Sequence, residues 1–223
     1  MKTYIVIAAF NEGKKIGSVV KELLKVGYSN VVVVDDGSSD NTYSVASKAG
    51  AVALQHIVNR GQGAALQTGI DYALEQGADL IVTFDADGQH CVSDIPAMIK
   101  PVASGEVDVT LGSRFLGKSN APFLKKLVLK GGIIFTRLLS GIKLTDVHNG
   151  FRVFSRKAAQ KIRINQDRME HASEILDEIA RKKIKYKEIP VTIKYSEYSK
   201  AKGQSVFNSI RIALKMIYSK VVR

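Results

Sequence analysis

The chain has 223 residues, 45% of them apolar and 24% charged, which is typical of a globular protein with one large domain or two small ones. Its single cysteine, Cys91, excludes an internal disulfide and indicates a reducing, cytoplasmic compartment. No apolar run approaches the ~18 residues of a membrane-spanning helix, and the first run is too short for a signal peptide, so we expect at most peripheral membrane contact.

The formal net charge of +12 favours anionic partners, which include nucleotides, phosphorylated substrates, nucleic acids and anionic membrane surfaces. This charge is unevenly distributed along the chain. Residues 1–110 carry more acidic than basic side chains, whereas residues 111–223 carry a large basic excess. We therefore expect the two parts of the chain to have different electrostatic roles.

The first 90 residues alternate short apolar strands with helices. Strands are predicted over Tyr4–Ala9, Val31–Val34, Ala51–Gln55 and Leu80–Phe84, and helices over Lys14–Val26, Thr42–Ala49 and Gly63–Glu75. Asp40 or Asn41 is the expected N-cap of the second helix. This alternation predicts an α/β fold with right-handed crossovers and a parallel sheet covered on both faces. Ligands bind such sheets beyond the carboxyl ends of the strands.

The second part of the chain predicts further elements and two basic, apolar segments. Strands are expected over Val107–Gly112, Gly150–Phe154 and Lys185–Tyr195, and helices over Ser155–Ile162, Ala172–Lys182 and Ser205–Val222. Phe123–Leu139 and Val206–Val222 mix Lys and Arg with large apolar side chains. Such segments either lie in an anionic membrane interface or pack on the domain with their lysines solvated.

Polar residues follow each of the first four predicted strands, and those after the fourth form the stretch FDADGQH, Phe84–His90. Asp85 and Asp87 place two carboxylates at a strand end, where they repel each other unless a cation lies between them. A hard divalent ion such as Mg²⁺ or Mn²⁺ suits oxygen ligands of this kind and would in turn hold a diphosphate. The alternative is a solvated turn, since Asp and Gly are common turn residues. The position after a buried strand favours the metal site.

Two other loops carry candidate binding residues. In VVVVDDGSSDNT, Asp35 and Asp36 reach the sheet edge, where a carboxylate can accept from a base N–H or a ribose hydroxyl, whereas Asp40 is expected to cap the next helix. In NRGQGAALQTG, Gly61 and Gly63 precede a helix, so the backbone there can approach an anionic ligand. This loop matches neither the P-loop nor the dinucleotide fingerprint.

The stretches LGSRF and DVHNGFR carry the remaining candidates. Arg114 follows an apolar strand, and Asp146, His148 and Arg152 lie close together in the sequence. They form either a substrate pocket with a carboxylate and cationic side chains or a simple turn around Asn149 and Gly150. No Ser-His-Asp or Cys-His set is arranged for nucleophilic catalysis, and no Cys/His spacing indicates zinc.

Together, these motifs resemble those of the family 2 glycosyltransferases. The matching stretches, in order along the chain, are AAFNE, VVVVDDGSSDNT, NRGQGAALQTG, FDADGQH, GSRF, DVHNGFR, EILDEI and KAKGQS. The likeness covers nearly the whole chain and is greatest to the dolichol-phosphate mannose synthase and undecaprenyl-phosphate sugar transferase branch. The resemblance implies a GT-A fold, a UDP- or GDP-sugar donor and a Mg²⁺ or Mn²⁺ ion. It also implies a GT-A domain over residues 1–200, with a nucleotide-sugar-binding half (1–112) and an acceptor half (113–200), and then a closing loop and basic amphipathic helix (201–223).

The resemblance assigns roles by position. The donor-binding group comprises Ala8, Phe10, Glu12, Asp36, Gly61, Gly63, Asp85, Arg114, Lys200 and Lys202. Within it, Phe10 and Glu12 would line the nucleoside pocket and Asp36 would contact the base, while the two lysines would close over the diphosphate. Asp87 would hold the metal on the donor diphosphate, with Gln89 close to it, and Asp85, also among the metal ligands, would lie near the ribose and the sugar. The catalytic group comprises Asp85, Asp87, Asp146, Glu174 and Arg152, of which Asp146 and Glu174 would lie on the acceptor side.

The sequence departs from the family pattern at two places that bear on the donor site. Ala8 stands where the family usually has proline, and the closing loop has Lys200 where the family has arginine. Lysine does not replace arginine in bidentate phosphate binding, so the geometry of donor closure is expected to differ.

The implied reaction is an inverting displacement that moves a sugar to a polyprenyl phosphate or a cell-envelope glycan. A lipid phosphate is already an anion and needs no strong general base, whereas a sugar hydroxyl needs one, for which Asp146 and Glu174 are the candidates. The alternatives are a nucleotidyltransferase that releases pyrophosphate, and a non-catalytic basic protein that binds membranes or nucleic acid. Carboxylates at the sheet edge would repel nucleic acid phosphates, so we expect no nucleic acid partner. The expected location is cytoplasmic, with peripheral contact at the inner face of the membrane, and the sequence gives no oligomeric state.

Overall fold

The computed structural model describes residues 1–116, 142, 144–147 and 149–194. Its strands are β1 (Thr3–Ala9), β2 (Val31–Asp35), β3 (Val52–Gln55), β4 (Leu80–Thr83), β5 (Val109–Ser113), β6 (Arg152–Ser155) and β7 (Tyr186–Pro190). Its helices are α1 (Ile16–Lys25), α2 (Thr42–Lys48), α3 (Gln62–Glu75), α4 (Ile95–Ala103), α5 (Arg156–Lys161) and α6 (His171–Arg181). The predicted segments Phe123–Leu139 and Ser205–Val222, and the residues His148, Lys200 and Lys202, lie outside the described residues.

The seven strands form one sheet in the order β3-β2-β1-β4-β6-β5-β7. β1 pairs in parallel with β2 and β4, and the pairs β2–β3 and β5–β7 are also parallel. β6 runs antiparallel to both of its neighbours, with Arg152 opposite Thr83. The sheet is therefore mostly parallel, as predicted. Because β6 is reversed, Arg152 at its start lies at the same edge as the carboxyl end of β4.

Both faces of the sheet are buried, which is why its central strands are apolar at successive positions rather than at alternate ones. Along β1, Val6 packs in the layer with α3, α5 and α6, whereas Ile5 and Ile7 pack in the layer with α1, α2 and α4. Helix α1 contributes four buried side chains at helical spacing, namely Ile16, Val19, Val20 and Leu23. Burial of each such side chain is worth about 1.5–3 kcal/mol.

Helix α4 is not predicted by the sequence pattern, because it contains two prolines. Pro96 lies in its first turn, where the missing N–H has no intrahelical partner to lose, and Pro101 lies near its end. Met98 and Val102 are buried against the sheet. Burial of this apolar face therefore outweighs the unfavourable local composition.

Strand β7 ends at Pro190, earlier than the predicted Tyr195. The N–H of Val191 still donates to the carbonyl oxygen of Ser113 in β5, and the residues after it contact the loop after β4. The backbone N–H of Thr192 donates to Asp94 Oδ2 at 2.7 Å, and Ile193 forms an antiparallel bridge with His90. The chain thus reaches residue 194 beside the loop that carries Asp85 and Asp87.

Within the described ranges, no helix combines the length and the apolar character that crossing a bilayer requires.

Candidate active site

A cleft of about 390 Å³ opens at the sheet edge where the parallel strands end. Eight of the predicted site residues line it, namely Ala8, Phe10, Glu12, Asp36, Gly61, Asp85, Asp87 and Arg152. The strand order places them across the cleft in a fixed sequence. Asp36 follows β2, Phe10 follows β1, Asp85 follows β4, and Arg152 begins β6.

Asp36 lies at the β2 side of the cleft and is 2% exposed. Its Oδ1 accepts from the backbone N–H of Arg60 at 3.0 Å and lies 2.8 Å from Nδ1 of His56, and its Oδ2 accepts from the N–H of Gly61 at 2.6 Å. The carboxylate therefore fixes the loop before α3. The sequence predicted that a ligand anion binds at the start of α3. In the structure, the Asp36 carboxylate provides a negative charge at this place.

The neighbouring Asp35 does not line the cleft and stabilises the turn after β2. Its Oδ1 accepts from the N–H and hydroxyl of Ser38, and its Oδ2 accepts from Gln55 Nε2 at 2.9 Å. Asn41 occupies the N-cap position of α2 without a side-chain bond. It is Asp40 that accepts from the N–H of Thr42, at 2.9 Å. The capping role expected near this helix therefore belongs to Asp40.

Asp85 is held by a buried histidine. His90 is 5% exposed, and its ring lies between Phe84 and Phe151, with centroid distances of 5.3 and 5.1 Å. Its Nε2 lies 2.8 Å from Asp85 Oδ2, close enough for an ion pair but without the alignment of a hydrogen bond. Burial would raise the pKa of Asp85, but His90, together with Arg152 and the nearby Arg114, outweighs it and lowers the pKa below its ordinary value. Asp85 is therefore a stable carboxylate.

Asp87 is hydrogen-bonded within its own turn. Its Oδ1 accepts from the N–H of Gln89 at 2.9 Å, and its Oδ2 accepts from Gln89 Nε2 at 2.5 Å. Burial, and then the negative charge of Asp85, raise the pKa of Asp87 above its ordinary value, although the bonds from Gln89 act in the opposite direction. The two carboxylates repel each other, and a cation bound between them would relieve this repulsion.

The residues after β4 fit part of a divalent metal site. Asp85 and Asp87 supply carboxylate oxygens, and Gln89 supplies an amide oxygen whose NH₂ group is already bonded to Asp87. In the part of the chain that the structure describes, no cluster of three or more His, Cys, Asp or Glu side chains is arranged to hold a metal ion. A cation at this place would therefore need ligands from its substrate, as expected for an ion bound to a diphosphate.

Arg152 is a buried cation whose charge acts on Asp85. It is 3% exposed, and its Nη2 donates to the carbonyl oxygen of Ala172 at 3.3 Å. Burial lowers its pKa to about 10, although Asp85 and Asp146 act to raise it. Arg152 therefore remains charged at neutral pH and places a buried positive charge against the cleft.

Arg114 and Asp146 bind each other and do not line the cleft. Arg114 donates through Nε to Asp146 Oδ2 at 2.6 Å, and the same oxygen accepts from the Arg114 N–H at 3.1 Å. Glu188 of β7 accepts from the N–H groups of Thr145 and Asp146 at 2.9 and 3.1 Å, which holds the loop in place. The pair is thus a largely buried ion pair, and the charge of Asp146 acts on Arg152.

Glu174 and Gly63 also lie outside the cleft lining, and both contact the segment before α6. The Glu174 carboxylate accepts from the N–H groups of Asn165 and Gln166 at 2.9 and 2.8 Å. A Cβ atom at Gly63 would overlap the carbonyl oxygen of Gln166 and would lie 2.8 Å from Cβ of His171. At Gly61, φ is +122°, and a Cβ atom would overlap the carbonyl oxygen of Asp167. These glycines let residues 166–168 approach α3.

Several residues that line the cleft have no counterpart in the sequence prediction, namely Asn59, Gln62, Met169, His171 and Ala172. His171 and Ala172 begin α6, and Met169 precedes it. The amphipathic pattern of α6 reports its buried face, but nothing in it indicates that the start of the helix returns to the cleft. Asn59 and Gln62 lie within two residues of the predicted Gly61, and this closeness in the sequence was the only indication that they could line the cleft.

Comparison with known proteins identifies the family. The profile of the family described as Glycosyl transferase family 2 matches residues 4–163. A UDP-N-acetylglucosamine–dolichyl-phosphate N-acetylglucosaminyltransferase of Methanococcus voltae is 35% identical over 98% of this chain and 96% of its own length. An uncharacterised protein of Methanocaldococcus jannaschii is 42% identical over 98% of this chain and 92% of its own length.

A solved structure shows the same fold. Glucosyl-3-phosphoglycerate synthase of Mycobacterium tuberculosis, in complex with Mn²⁺ and UDP-glucose, matches with a TM-score of 0.74 and 17% identity, over 97% of this chain and 76% of that chain. The predicted GT-A fold is thereby confirmed. The relatives also confirm the predicted resemblance to the polyprenyl-phosphate branch. The chain belongs to glycosyl transferase family 2 and is a nucleotide-sugar glycosyltransferase.

Proposed function

We propose that the protein transfers a sugar from a UDP- or GDP-sugar to a polyprenyl phosphate, with inversion at the anomeric carbon and dependence on Mg²⁺ or Mn²⁺. The observation that carries this proposal is the order of groups across the cleft. Asp36 and Phe10 lie on one side, and Asp85, Asp87 and Arg152 lie on the other. This order suits a donor with its nucleoside on the β2 side and its diphosphate and sugar near β4 and β6.

The β2 side of the cleft offers surfaces that a nucleoside can use. The Phe10 side chain is 46% exposed at the cleft and provides an aromatic face for stacking. Asp36 holds the loop that contributes Asn59 and Gly61 to the lining. We also propose that Asp36 contacts the base. The carboxylate already accepts hydrogen bonds from this loop, so the base would have to share its oxygens with the backbone N–H groups.

Metal dependence is proposed from the carboxylate pair and from a structural neighbour. Asp85 and Asp87 repel each other, and Gln89 orients Asp87. Glucosyl-3-phosphoglycerate synthase, which has the same fold, was solved with Mn²⁺ and UDP-glucose. When bound here, such an ion would neutralise negative charge on the departing nucleoside diphosphate. Asp85 and Asp87 would hold it, and Arg152 would add a fixed positive charge from the β6 side.

A polyprenyl phosphate is the proposed acceptor because neither candidate base lines the cleft. Asp146 is bound by Arg114, and Glu174 accepts from two backbone N–H groups. A sugar hydroxyl would need a base within hydrogen-bond reach, whereas a phosphate attacks as an anion. The M. voltae relative is described as acting on dolichyl phosphate, which agrees with this choice. Glycan acceptors are accordingly not favoured, and membership of glycosyl transferase family 2 disfavours pyrophosphate-releasing chemistry.

The proposed organisation follows the sequence halves. Residues 1–112 provide most of the cleft lining and would bind the donor. Residues 113–200 would complete the acceptor side. Lys200, at the end of that part, and Lys202, in residues 201–223, would close over the diphosphate. The basic second part would hold the enzyme at the cytoplasmic face of an anionic membrane, where a polyprenyl phosphate is accessible.

A two-step experiment tests the proposal. Thermal shift with UDP-glucose, UDP-N-acetylglucosamine and GDP-mannose, with and without Mn²⁺, should show stabilisation that needs both the nucleotide sugar and the metal, since bound ligand raises apparent stability. The stabilising donor is then incubated with dolichyl phosphate or with a methyl glycoside. Formation of a sugar-linked lipid only with dolichyl phosphate supports the proposal, and transfer only to the glycoside refutes the acceptor assignment.

A further inference from the structure

His171 is a buried histidine that lines the catalytic cleft and that the chemistry above does not use. It is the first residue of α6 and is 3% exposed. The next residue, Ala172, accepts a hydrogen bond from Arg152 at 3.3 Å, so the imidazole lies beside the buried cation of the β6 side. Its electrostatic neighbours include Arg152 and Asp85. The imidazole therefore lies on the β4–β6 side of the cleft, away from the proposed nucleoside side.

The hydrogen bond to Nδ1 fixes the tautomer of this ring. Nδ1 lies 2.7 Å from the carbonyl oxygen of Arg168. A carbonyl oxygen only accepts hydrogen bonds, so Nδ1 must carry the proton. Burial, and then the charge of Arg152, lower the pKa of His171 to about 4, so the ring is neutral near pH 7. In the neutral ring with Nδ1 protonated, Nε2 has a lone pair and acts as a hydrogen-bond acceptor.

The position of the ring is as constrained as its protonation. The absence of a side chain at Gly63 lets the His171 Cβ pack against the first turn of α3, where an added Cβ atom would lie 2.8 Å from it. The Gly63 contact thus holds the Cβ of His171 from the α3 side, and the bond to Arg168, in the segment before α6, orients the imidazole. No residue of the described chain makes a hydrogen bond to Nε2. The cleft thus contains an oriented acceptor.

An oriented neutral acceptor discriminates among the groups of a nucleotide sugar. Phosphate oxygens carry lone pairs and negative charge, so they are unsuitable partners for Nε2 and are better matched to Arg152. Hydroxyl and amide N–H groups have the hydrogen that Nε2 lacks. In the donor orientation proposed for this cleft, the ribose would lie with the nucleoside toward the β2 side, so on the β4–β6 side such groups would belong to the transferred sugar.

We propose that His171 is a specificity-determining residue whose Nε2 accepts a hydrogen bond from one hydroxyl or N–H group of the transferred sugar. This inference rests on the proposed function, since it assumes that a nucleotide sugar occupies the cleft. It assigns to the start of α6 the selection of one position of the sugar ring.

Deoxy donors test this contact directly. The donor that the wild-type enzyme uses, from among UDP-glucose, UDP-N-acetylglucosamine and GDP-mannose, is compared with derivatives that lack the group at position 2, 3, 4 or 6 of the sugar. We expect one derivative to lower kcat/KM about 10-fold more in the wild type than in His171→Ala, because the variant has no bond left to lose. His171→Gln, whose Oε1 can accept, should restore part of the discrimination.

Controls separate recognition from a general loss of structure. Far-ultraviolet circular dichroism reports whether each variant folds, and His171→Gln keeps the test open if His171→Ala does not. His56→Gln, which removes a histidine beside Asp36 on the β2 side, should change kcat/KM by the same factor for all sugar derivatives. An equal loss of kcat/KM for every sugar derivative in the wild type and in both His171 variants would overturn the inference. A loss that depends on His171 only when the ribose 2′-hydroxyl of the donor is removed would also overturn it. Failure of the wild type to use any donor would overturn the proposed function, and this inference with it.

Discussion

Asp85 and Asp87 are two residues apart, yet their surroundings move their pKa values in opposite directions. Burial acts to raise both, but the pKa of Asp85 is lowered because His90, Arg152 and Arg114 favour its carboxylate. The pKa of Asp87 is raised because burial is reinforced by the charge of Asp85. Asp87 is thus the carboxylate whose charge depends most on a cation, which supports its assignment as the main metal ligand.

The first prediction concerns Asp87→Asn. We expect metal-dependent donor turnover to fall at least about 100-fold, since the amide removes the charge that, in the proposed site, would hold the cation. Steady-state release of nucleoside diphosphate as a function of Mn²⁺ concentration measures this. Asp71→Asn, on α3 and outside the cleft lining, should match the wild type. Unchanged turnover in Asp87→Asn, with a folded protein, would refute the metal assignment.

The second prediction concerns the stability contribution of His171. Its folded pKa is about 4, against an ordinary value of 6.5, so between these pH values the unfolded chain binds a proton that the folded protein excludes. Stability is therefore lost as the pH falls from about 6.5 to about 4, by roughly 3 kcal/mol from this residue. Urea denaturation at several pH values measures the free energy of unfolding. Between pH 6.5 and pH 4, this free energy should fall by about 3 kcal/mol less in His171→Gln than in the wild type. Parallel curves for the two proteins would contradict the expected burial.

Some of the residues that line the cleft can be predicted from the sequence, and others cannot. The positions of Asp36, Asp85 and Asp87 at the cleft follow from the apolar runs of β2 and β4, because each carboxylate lies within three residues of such a run and parallel strands end at one edge. His171 and Met169 could not be found this way. They reach the cleft because α6 packs against Gly63 of α3, and a contact between distant elements leaves no mark in local spacing.

At the scale of elements, the start of α3 illustrates an ambiguity of glycine. Gly61 and Gly63 predicted a close approach of backbone to a ligand, and the structure shows close approach to residues 166–168. The N–H of Ala64 donates to the carbonyl oxygen of Asp167 at 3.1 Å, in the place that a ligand anion could have taken. Glycine in a sequence reports the need for space, but it does not report what fills the space.

The third prediction follows from this packing. Gly63→Ala should destabilise the protein by at least about 2 kcal/mol, because the new methyl group overlaps a backbone carbonyl oxygen that cannot rotate away. Gly17→Ala, in α1, is the matched control, since its methyl group would meet a methyl of Val45 at 2.9 Å, which can move. We expect the control to stay within about 1 kcal/mol of the wild type, because the gain in helix propensity offsets the contact. Chemical denaturation measures both, and equal effects would refute the packing argument.

Strand direction was a second limit at this scale. The apolar run that became β6 predicted a strand, but apolar content does not distinguish a parallel from an antiparallel neighbour in a sheet buried on both faces. The reversal matters for the site because it carries Arg152 to the edge beside Asp85. A parallel β6 would have placed this cation at the opposite edge of the sheet.

For the whole molecule, the charge distribution suggests how the enzyme meets its acceptor. The net charge is +12, and the basic excess lies in residues 111–223, beyond most of the donor-binding loops. An enzyme that uses a polyprenyl phosphate must work where the lipid's phosphate is exposed, and anionic headgroups attract basic segments by about 1 kcal/mol per Lys or Arg near the surface.

The fourth prediction is therefore salt-sensitive membrane binding by the full chain. Sedimentation with vesicles containing about 30% phosphatidylserine should bring down the protein at low ionic strength and release it as NaCl approaches about 0.5 M, because salt screens exposed charges. Vesicles of phosphatidylcholine alone are the control and should bind little. Equal binding to both vesicle types would argue against electrostatic attachment.

Transfer of a sugar to a lipid phosphate, with release of a nucleoside diphosphate, can be followed in a single reaction by ³¹P NMR. The full chain is mixed with dolichyl phosphate, Mg²⁺ and the donor that stabilises it, and the phosphorus signals are followed over time. We expect the dolichyl monophosphate signal to be replaced by a phosphodiester signal as nucleoside diphosphate accumulates in equal amount. Accumulation of pyrophosphate, or release of nucleoside diphosphate with the dolichyl phosphate unchanged, would contradict it.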